Sequence, residues 1–365
     1  METKLHAWHV ANGARMVDFG GWDMPVQYTV GPREEHLRVR QAAGLFDIDH
    51  MGRLELTGPQ AVEFLQRVQT WDVSRIAPGR AHYGMLLNES GGIIDDIFVY
   101  HRPDSWLIVV NAANTPKDTA WLESHARGFD VALRGANADA CMIALQGPAA
   151  RGILQRLCPE TDLASVGFHH VRDCFVAGAP CILCTSGYTG EPGYEIFVAA
   201  GEHLRIWEAL LGAGAESRLL PCGLAARDSL RAEACLPLYG HELDETTDPL
   251  SAGLARAAVS LTGHDFIGRK ALAALALERP ARILAGFEMV DPGVPRPGYQ
   301  ITNGGRQVGR VTTGLFSPST GKYLGMGYVE AGIAEPGSGI TIMIRDTGKA
   351  ARIVQRPFYT SSHWR

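Results

Sequence analysis

Four stretches of the chain open on a proline and continue with apolar residues at three- and four-residue intervals. They are PREEHLRVRQAA from Pro32, PQAVEFLQRVQ from Pro59, PKDTAWLESHAR from Pro116 and PAARGILQRLC from Pro148. Proline suits the first helical position, where its missing N–H has no partner to lose, so each stretch predicts a helix start. Gly44 and Gly128 stop the first and the third. Residues 202–212 and 223–235 carry the same helical spacing. Between these lie short apolar or alternating runs that predict strands: 52–57, 82–87, 93–100, 106–111, 141–146, 181–186 and 194–199. Antiparallel hairpins mixed with helices predict an α+β fold rather than a regular βαβ alternation.

The pattern changes near residue 280. The helical run ALAALALERP ends at Pro280. Short strand-like runs follow: ILAGFEM, RQVGRVTTG, KYLGMGYV, GITIMIRD and ARIVQRPF, with Asn303-Gly304-Gly305 as a hairpin turn. This predicts a small β-sandwich or barrel over 281–365, behind a larger region over 1–280.

Polar residues interrupt the apolar runs in a few places. GGIIDDIFVY (91–100) is a core strand with two adjacent acids, Asp95 and Asp96. A buried charge costs several kcal/mol unless paired or protonated. The pleat sends neighbours to opposite faces. Closing the NESGG loop symmetrically places Met85 opposite Asp95 and Tyr83 diagonal to it. Asp95 and Tyr83 are then expected to share a pocket wall, with Asp96 facing the other layer. The alternative is that both acids are structural, held by backbone N–H groups or an arginine. SGYTGEPGYEI (186–196) is a glycine-dense loop running into a strand that carries Glu195, either an exposed hairpin glutamate or a ligand for N–H groups. In GLAARDSLRAEAC (223–235), Arg227 and Arg231 lie four apart on one helix face, available to an acid of the fold or to a ligand carboxylate. Asn111 and Asn114 end the strand VVNAAN, where they either cap the next helix or fix a polar ligand edge. Together these residues suit a pocket for a flat, hydrogen-bonding ligand.

Composition narrows the classes. The 365 residues are 46% hydrophobic and 20% charged, with net charge −5. There is no Lys/Arg block, which argues against nucleic acid, and no apolar run of about 18 residues that crosses a membrane. METKLHAWHVANGARM lacks the apolar core of a secretory signal. Seven cysteines, an odd number, suit a reducing cytoplasm. Cys181 and Cys184 form a single CxxC inside an apolar strand-like run, more in keeping with buried thiols than with a metal or redox site. The thirteen histidines show no HExxH spacing.

Ten stretches in register resemble one family. They include MVDFGGWDMPVQY (16–28), EEHLRVRQAAGLFDIDHMG (34–52), NESGGIIDDIFVY (88–100), VVNAANTPKD (109–118), SGYTGEPGYEIFV (186–198), PCGLAARDSLRAEACLPLYGHELDE (221–245) and GRVTTGLFSPS (309–319). The chain resembles the aminomethyltransferase, or T-protein, of the glycine cleavage system. The resemblance implies a three-lobed α+β fold: two interlocked folate-binding lobes with a ferredoxin-like component, and a C-terminal β-barrel. It implies transfer of the one-carbon unit of an aminomethyl-lipoyl H-protein to tetrahydrofolate, giving 5,10-methylenetetrahydrofolate and ammonia, with no metal. Carried over by motif, Asp95 is expected as the catalytic acid. Met51, Tyr83, Asn111, Tyr188, Glu195 and Arg227 are expected around folate. Two positions depart from the family pattern: Asp49 replaces a serine in FDIDHM, placing an extra acid near the expected pocket entrance, and Leu236 stands where some relatives have an aromatic. They leave open a tetrahydrofolate-dependent O- or S-demethylase of the same family and, less so, a folate-binding accessory protein that is no transferase.

Overall fold

The computed structural model describes residues 1–363. Two large sheets, beside a two-stranded ribbon of Arg15–Phe19 and Trp22–Gln27, form the larger region. The first has six strands in the order Val171–Val176, Ala179–Cys184, Gly193–Ala199, Ala140–Gln146, Gly44–Asp47, Leu220–Pro221. Only the last pair runs parallel. The second has five antiparallel strands in the order Arg80–Leu87, Ile93–His101, Trp106–Val110, Gly52–Thr57, Ala132–Gly135. Gly44–Asp47 belongs to one sheet and Gly52–Thr57 to the other, joined through residues 48–51. The chain therefore changes sheet in mid-lobe, and the two lobes interlock.

The helices expected at Pro32, Pro116, 202–212 and 223–235 are present as Pro32–Gln41, Thr115–Ala126, His203–Ala213 and Leu224–Glu233. Those expected at Pro59 and Pro148 begin two residues later, as Ala61–Val68 and Ala150–Gln155. Each sheet buries one face under helices. Trp207, Ile206 and Leu210 cover the six-stranded sheet, and Phe64, Leu65 and Leu122 cover the five-stranded one. A third core lies between the sheets. It joins Phe46, Met142 and Phe197 of one to Ala81, Tyr100 and Val109 of the other, with Ala226 and Leu230 closing one end. Burying aromatic and aliphatic side chains of this size contributes about 1.5–3 kcal/mol each. Polar side chains can reach solvent where this core ends, and the site lies at that rim.

The C-terminal strands close into a barrel in the order Arg282–Met289, Tyr323–Glu330, Arg306–Phe316, Gln300–Asn303, Gly339–Ile344, Thr347–Val354. Asn303 pairs with Arg306 across Gly304 and Gly305, whose φ of 57° and 81° fit a two-residue primed turn. The barrel is docked by buried polar groups. Arg231 donates to Thr313 Oγ1 at 2.9 Å, and Glu233 accepts from Ser317 and Ser319 at 2.5 and 2.7 Å. Among the described residues no helix is long and apolar enough to cross a membrane.

Candidate active site

The hairpin that carries the two acids does not close as the symmetric loop predicts. Leu87 pairs with Ile93 as expected, but a bulge follows. Leu86 then faces Asp95, Met85 faces Asp96 and Tyr83 faces Phe98. One extra residue has entered the strand, which moves every later side chain to the other face. The cause lies outside the hairpin. Ile93 N–H donates to the carbonyls of Asp244 and Thr247 at 3.2 and 3.0 Å, and Ile94 C=O accepts from Lys117 Nζ at 2.8 Å. These backbone groups bond to the 244–247 segment and to a helix instead of extending the ladder.

The expected pairing of Asp95 with Tyr83 is thereby overturned. Tyr83 Oη donates to Asp96 Oδ2 at 2.9 Å. Asp96 is half-buried, whereas Asp95 is fully buried. The pleat still separates the acids, but the wall with Tyr83 belongs to Asp96. Asp95 faces the helix side, where Asn111 N–H, Asn111 Nδ2 and Asn114 Nδ2 donate to it at 2.9, 2.8 and 2.6 Å. The Asn111 side chain makes no capping bond to the next helix and serves the acids instead. Its Nδ2 also donates to Asp96 Oδ1 at 2.8 Å and bridges the two carboxylates.

Burial and the Asp95 charge raise the Asp96 carboxyl to about 7, against the pull of Tyr83 and Asn111. Burial and the same carboxylate push the Tyr83 phenol well up, so it stays a donor. Asp96 therefore titrates where a general acid–base group is most useful.

The other expected residues continue the same wall. The Tyr188 phenol lies in the field of Asp96 and of Arg227, and its hydroxyl donates to Pro237 C=O. The Arg227 guanidinium carbon sits 4.7 Å from the Tyr188 ring centroid, a cation–π contact. Burial lowers the Arg227 pKa, while Tyr188 and Glu195 oppose the shift. The Arg227 guanidinium makes no hydrogen bond or ion pair among the described residues. Glu195 Oε2 accepts from Tyr100 at 3.2 Å and from Ser186, which ties the two sheets together. Its Oε1 accepts nothing from the described residues. Met51 packs on the rim of the inter-sheet core. Tyr83, Asp96, Asn111, Tyr188, Glu195, Arg227 and Met51 are all half-buried. The Arg227 guanidinium and a carboxylate oxygen of Glu195, each within the other's field, keep unspent hydrogen-bonding capacity, as recognition of a polar planar ligand requires.

Asp49 does not stand at a pocket entrance. It is buried, and Arg53 Nη2 holds it at 2.9 Å. Asp49, Cys141 and His203 bring potential metal-ligand atoms within 4.8 Å of one another. Asp49 is already committed to Arg53, and burial pushes the Cys141 thiol up to about 12, a proton-bearing group rather than a thiolate. Leu236 lies beside Pro237, whose carbonyl takes the Tyr188 hydrogen bond. A separate cavity of about 540 Å³ opens between the barrel and residues 240–251, lined by Asp244, Asp248, Arg282, Arg310 and Tyr328. None of the expected site residues lines it.

Sequence reasoning missed Asn114 as a partner of Asp95, and it missed Asp118 and Lys117 altogether. A signal was present. Asp118 lies four residues before Leu122, on the stripe that packs into the core, where a helix rarely places an unpaired acid.

Interlocked α+β lobes with a closed barrel, and an acid–tyrosine–arginine wall between the sheets, define a class of small-molecule transferase scaffold. Comparison with known families fixes which one. The family model described as the GCVT N-terminal domain matches residues 5–262, and the glycine cleavage T-protein C-terminal barrel domain matches 282–360. The chain belongs to the glycine cleavage T-protein family, and its activity is that of a folate-dependent aminomethyltransferase. It is 46% identical to the aminomethyltransferase of Symbiobacterium thermophilum over 370 residues, covering 100% of this chain and 98% of the relative. It is 45% identical to that of Herpetosiphon aurantiacus over 364 residues, covering 99% of each. The crystal structure of glycine cleavage system aminomethyltransferase T from Bartonella henselae superposes with a TM-score of 0.92 at 33% identity, covering 99% of this chain and 98% of that one.

Proposed function

We propose that the chain moves the one-carbon unit of an aminomethyl group, carried on the lipoyl arm of an H-protein, to tetrahydrofolate. In this reaction the folate amines form the new C–N bonds, the bonds of the carbon to sulfur and to nitrogen break, and ammonia and the dihydrolipoyl thiol leave. The observation that carries the reading is Asp96: a half-buried carboxyl with its pKa near neutrality, fixed by Tyr83 and Asn111 on the wall shared with Tyr188 and Arg227.

Asp96 orients the folate amine and takes its proton as it becomes a nucleophile. The catalytic role moves from Asp95 to Asp96 on accessibility, since a fully buried carboxylate already held by three donors cannot reach substrate. Glu195 Oε1 accepts from the amino-pyrimidinone edge of the pterin. The stacked Tyr188–Arg227 pair offers a flat, cationic surface to the rest of the ligand, and Met51 closes the apolar side. Holding two reactants in line supplies much of the acceleration.

The same reading divides the chain into a folate-binding region, 1–280, and a barrel domain, 281–365, and it requires no metal. It places the enzyme in the cytoplasm, which suits the seven free cysteines. The test is an assay with lipoylated, aminomethyl-loaded H-protein and tetrahydrofolate, following ammonia release. The expected product is labelled methylenetetrahydrofolate. Labelled methyltetrahydrofolate from a methylated donor would replace this reading with a demethylase.

A further inference from the structure

The acceptor positions of Asp95 can be counted. Oδ1 accepts Asn111 Nδ2 and Asn114 Nδ2, and Oδ2 accepts Asn111 N–H. A carboxylate offers about four such positions, so one remains on Oδ2. Asp95 is fully buried and out of reach of bulk water. Asp118 is fully buried too, and neither of its oxygens meets a donor among the described residues. It follows Asn114 by four residues, so it shares the helix face whose amide donates to Asp95. Its carboxyl lies within hydrogen-bond reach of Asp95.

Two buried carboxylates in contact cannot both ionise. A protonated Asp118 fills the open position on Asp95, and the same step gives Asp118 its missing partner. The surrounding charges leave this assignment standing. Asp96 and Tyr83 approach from the hairpin, and Tyr239 from the 239–247 segment. Lys117 is the adjacent cation, but its ammonium is spent on Ile94 C=O, Tyr239 and Glu245 at 2.8, 2.9 and 3.1 Å. Burial, then the contact with Asp95, hold the Asp118 carboxyl far above the usual carboxylate range, although Lys117 opposes them.

We propose that Asp118 is a positioning residue: it keeps its proton at neutral pH and donates it to Asp95, so that Asp95 remains the fixed anion that orients Asn111 and leaves the exchangeable proton on Asp96. The functional half of this inference rests on Asp96 being the acid–base group. The protonation half does not.

In Asp118→Leu the fourth position on Asp95 is empty. The site then holds its single proton more tightly, because that proton can settle on Asp95. The acid limb of the kcat/KM profile moves up by about one pH unit, a roughly tenfold loss on that limb, with kcat affected more than KM for tetrahydrofolate. Asp118→Asn restores an N–H donor and recovers most of that loss. Infrared difference spectra at about pH 8 read the proton directly: the wild type shows a protonated-carboxyl C=O band that Asp118→Asn removes. A wild-type pH profile in Asp118→Leu overturns the positioning role. A carboxyl band unchanged in Asp118→Asn overturns the shared proton, and this arm decides even where the leucine variant fails to fold. Full turnover in Asp96→Asn would remove the reading of Asp96 alone, leaving the infrared result to decide the Asp118 proton.

Discussion

Replacing Asp96 by asparagine separates chemistry from architecture. The carboxylate accepts from Tyr83 Oη on one oxygen and from Asn111 Nδ2 on the other, at 2.9 and 2.8 Å. An amide keeps the Asn111 bond on its oxygen and can donate its own N–H to Tyr83 Oη, which leaves the phenol proton to find another partner. The residue is half-buried, so water can repair that mismatch, and the stability cost stays below about 1.5 kcal/mol. The chemical cost is larger. Losing a positioned acid–base group costs about 10²–10⁴ in rate, or about 2.7–5.5 kcal/mol of transition-state stabilisation. The expected result is a kcat reduced at least about a hundredfold, tetrahydrofolate affinity within a few-fold of wild type, and a nearly unchanged denaturation midpoint. Asp95→Asn is the paired control. Its three donors converge on a fully buried carboxylate, and an amide oriented to accept from some of them turns its N–H groups on another. A loss of about 1–3 kcal/mol for each unsatisfied donor follows, visible first as a lower denaturation midpoint. The assay is single-turnover ammonia release with loaded H-protein, beside urea titration of both variants. Turnover within tenfold of wild type in Asp96→Asn refutes the assignment. A fully stable but inactive Asp95→Asn would return the chemistry to the buried acid.

The pH dependence follows from the raised Asp96 pKa: the base form is lost below about 7, so kcat/KM falls about tenfold per unit on the acid side, and a limb near the ordinary carboxylate value of about 4 would contradict the shared site. Glu195→Ala removes the acceptor for the pterin edge and should weaken tetrahydrofolate binding by about 10–100-fold in calorimetry, the worth of a charge-assisted hydrogen bond; unchanged affinity contradicts its role. Gly92→Ala places a Cβ 1.9 Å from Glu245 C=O, at the segment that draws out the bulge; a loss of about 1–3 kcal/mol in stability, with a drop in kcat as the hairpin shifts, is expected in denaturation and turnover assays, and a neutral substitution would show that the loop is not pinned there.

Much of the fold was legible in the apolar pattern because its cause is local. The prolines at 32 and 116 mark helix starts since the missing N–H and fixed φ act within one turn. Asn303-Gly304-Gly305 marks a hairpin since only glycine accepts both positive φ values easily. Gly44–Asp47 was missed because all four residues are buried and show no alternation to read. At the site, the residue types and the pleat that separates the two acids were legible, but which acid faces which way was not. That depends on one extra residue in a strand, and the extra residue is stabilised by the carbonyls of Asp244 and Thr247, far along the chain. A local rule has no access to such partners. Asp49 fails for a similar reason: its partner Arg53 is near in sequence, but its burial comes from the packing of the whole lobe.

The three acids are graded by burial, and the grading has a thermodynamic consequence. Asp96 reaches solvent, Asp95 is buried and hydrogen-bonded, and Asp118 is buried with no donor from the rest of the described chain. Asp96 and Asp118 both have folded-state pKa values above their unfolded ones. Between the two values the folded chain holds a proton that the unfolded chain releases. Their contribution to stability is therefore full below the ordinary carboxylate pKa and is lost as pH rises through the folded-state values, by about 1.4 kcal/mol per unit of pH for each group. At neutral pH the fold has already given up part of that stability. An asparagine at either position would avoid the loss, but at 96 it would leave no group able to exchange a proton with substrate. The acids are costly to the fold where they are useful to the reaction, as expected of a site whose charges are arranged for chemistry rather than for packing.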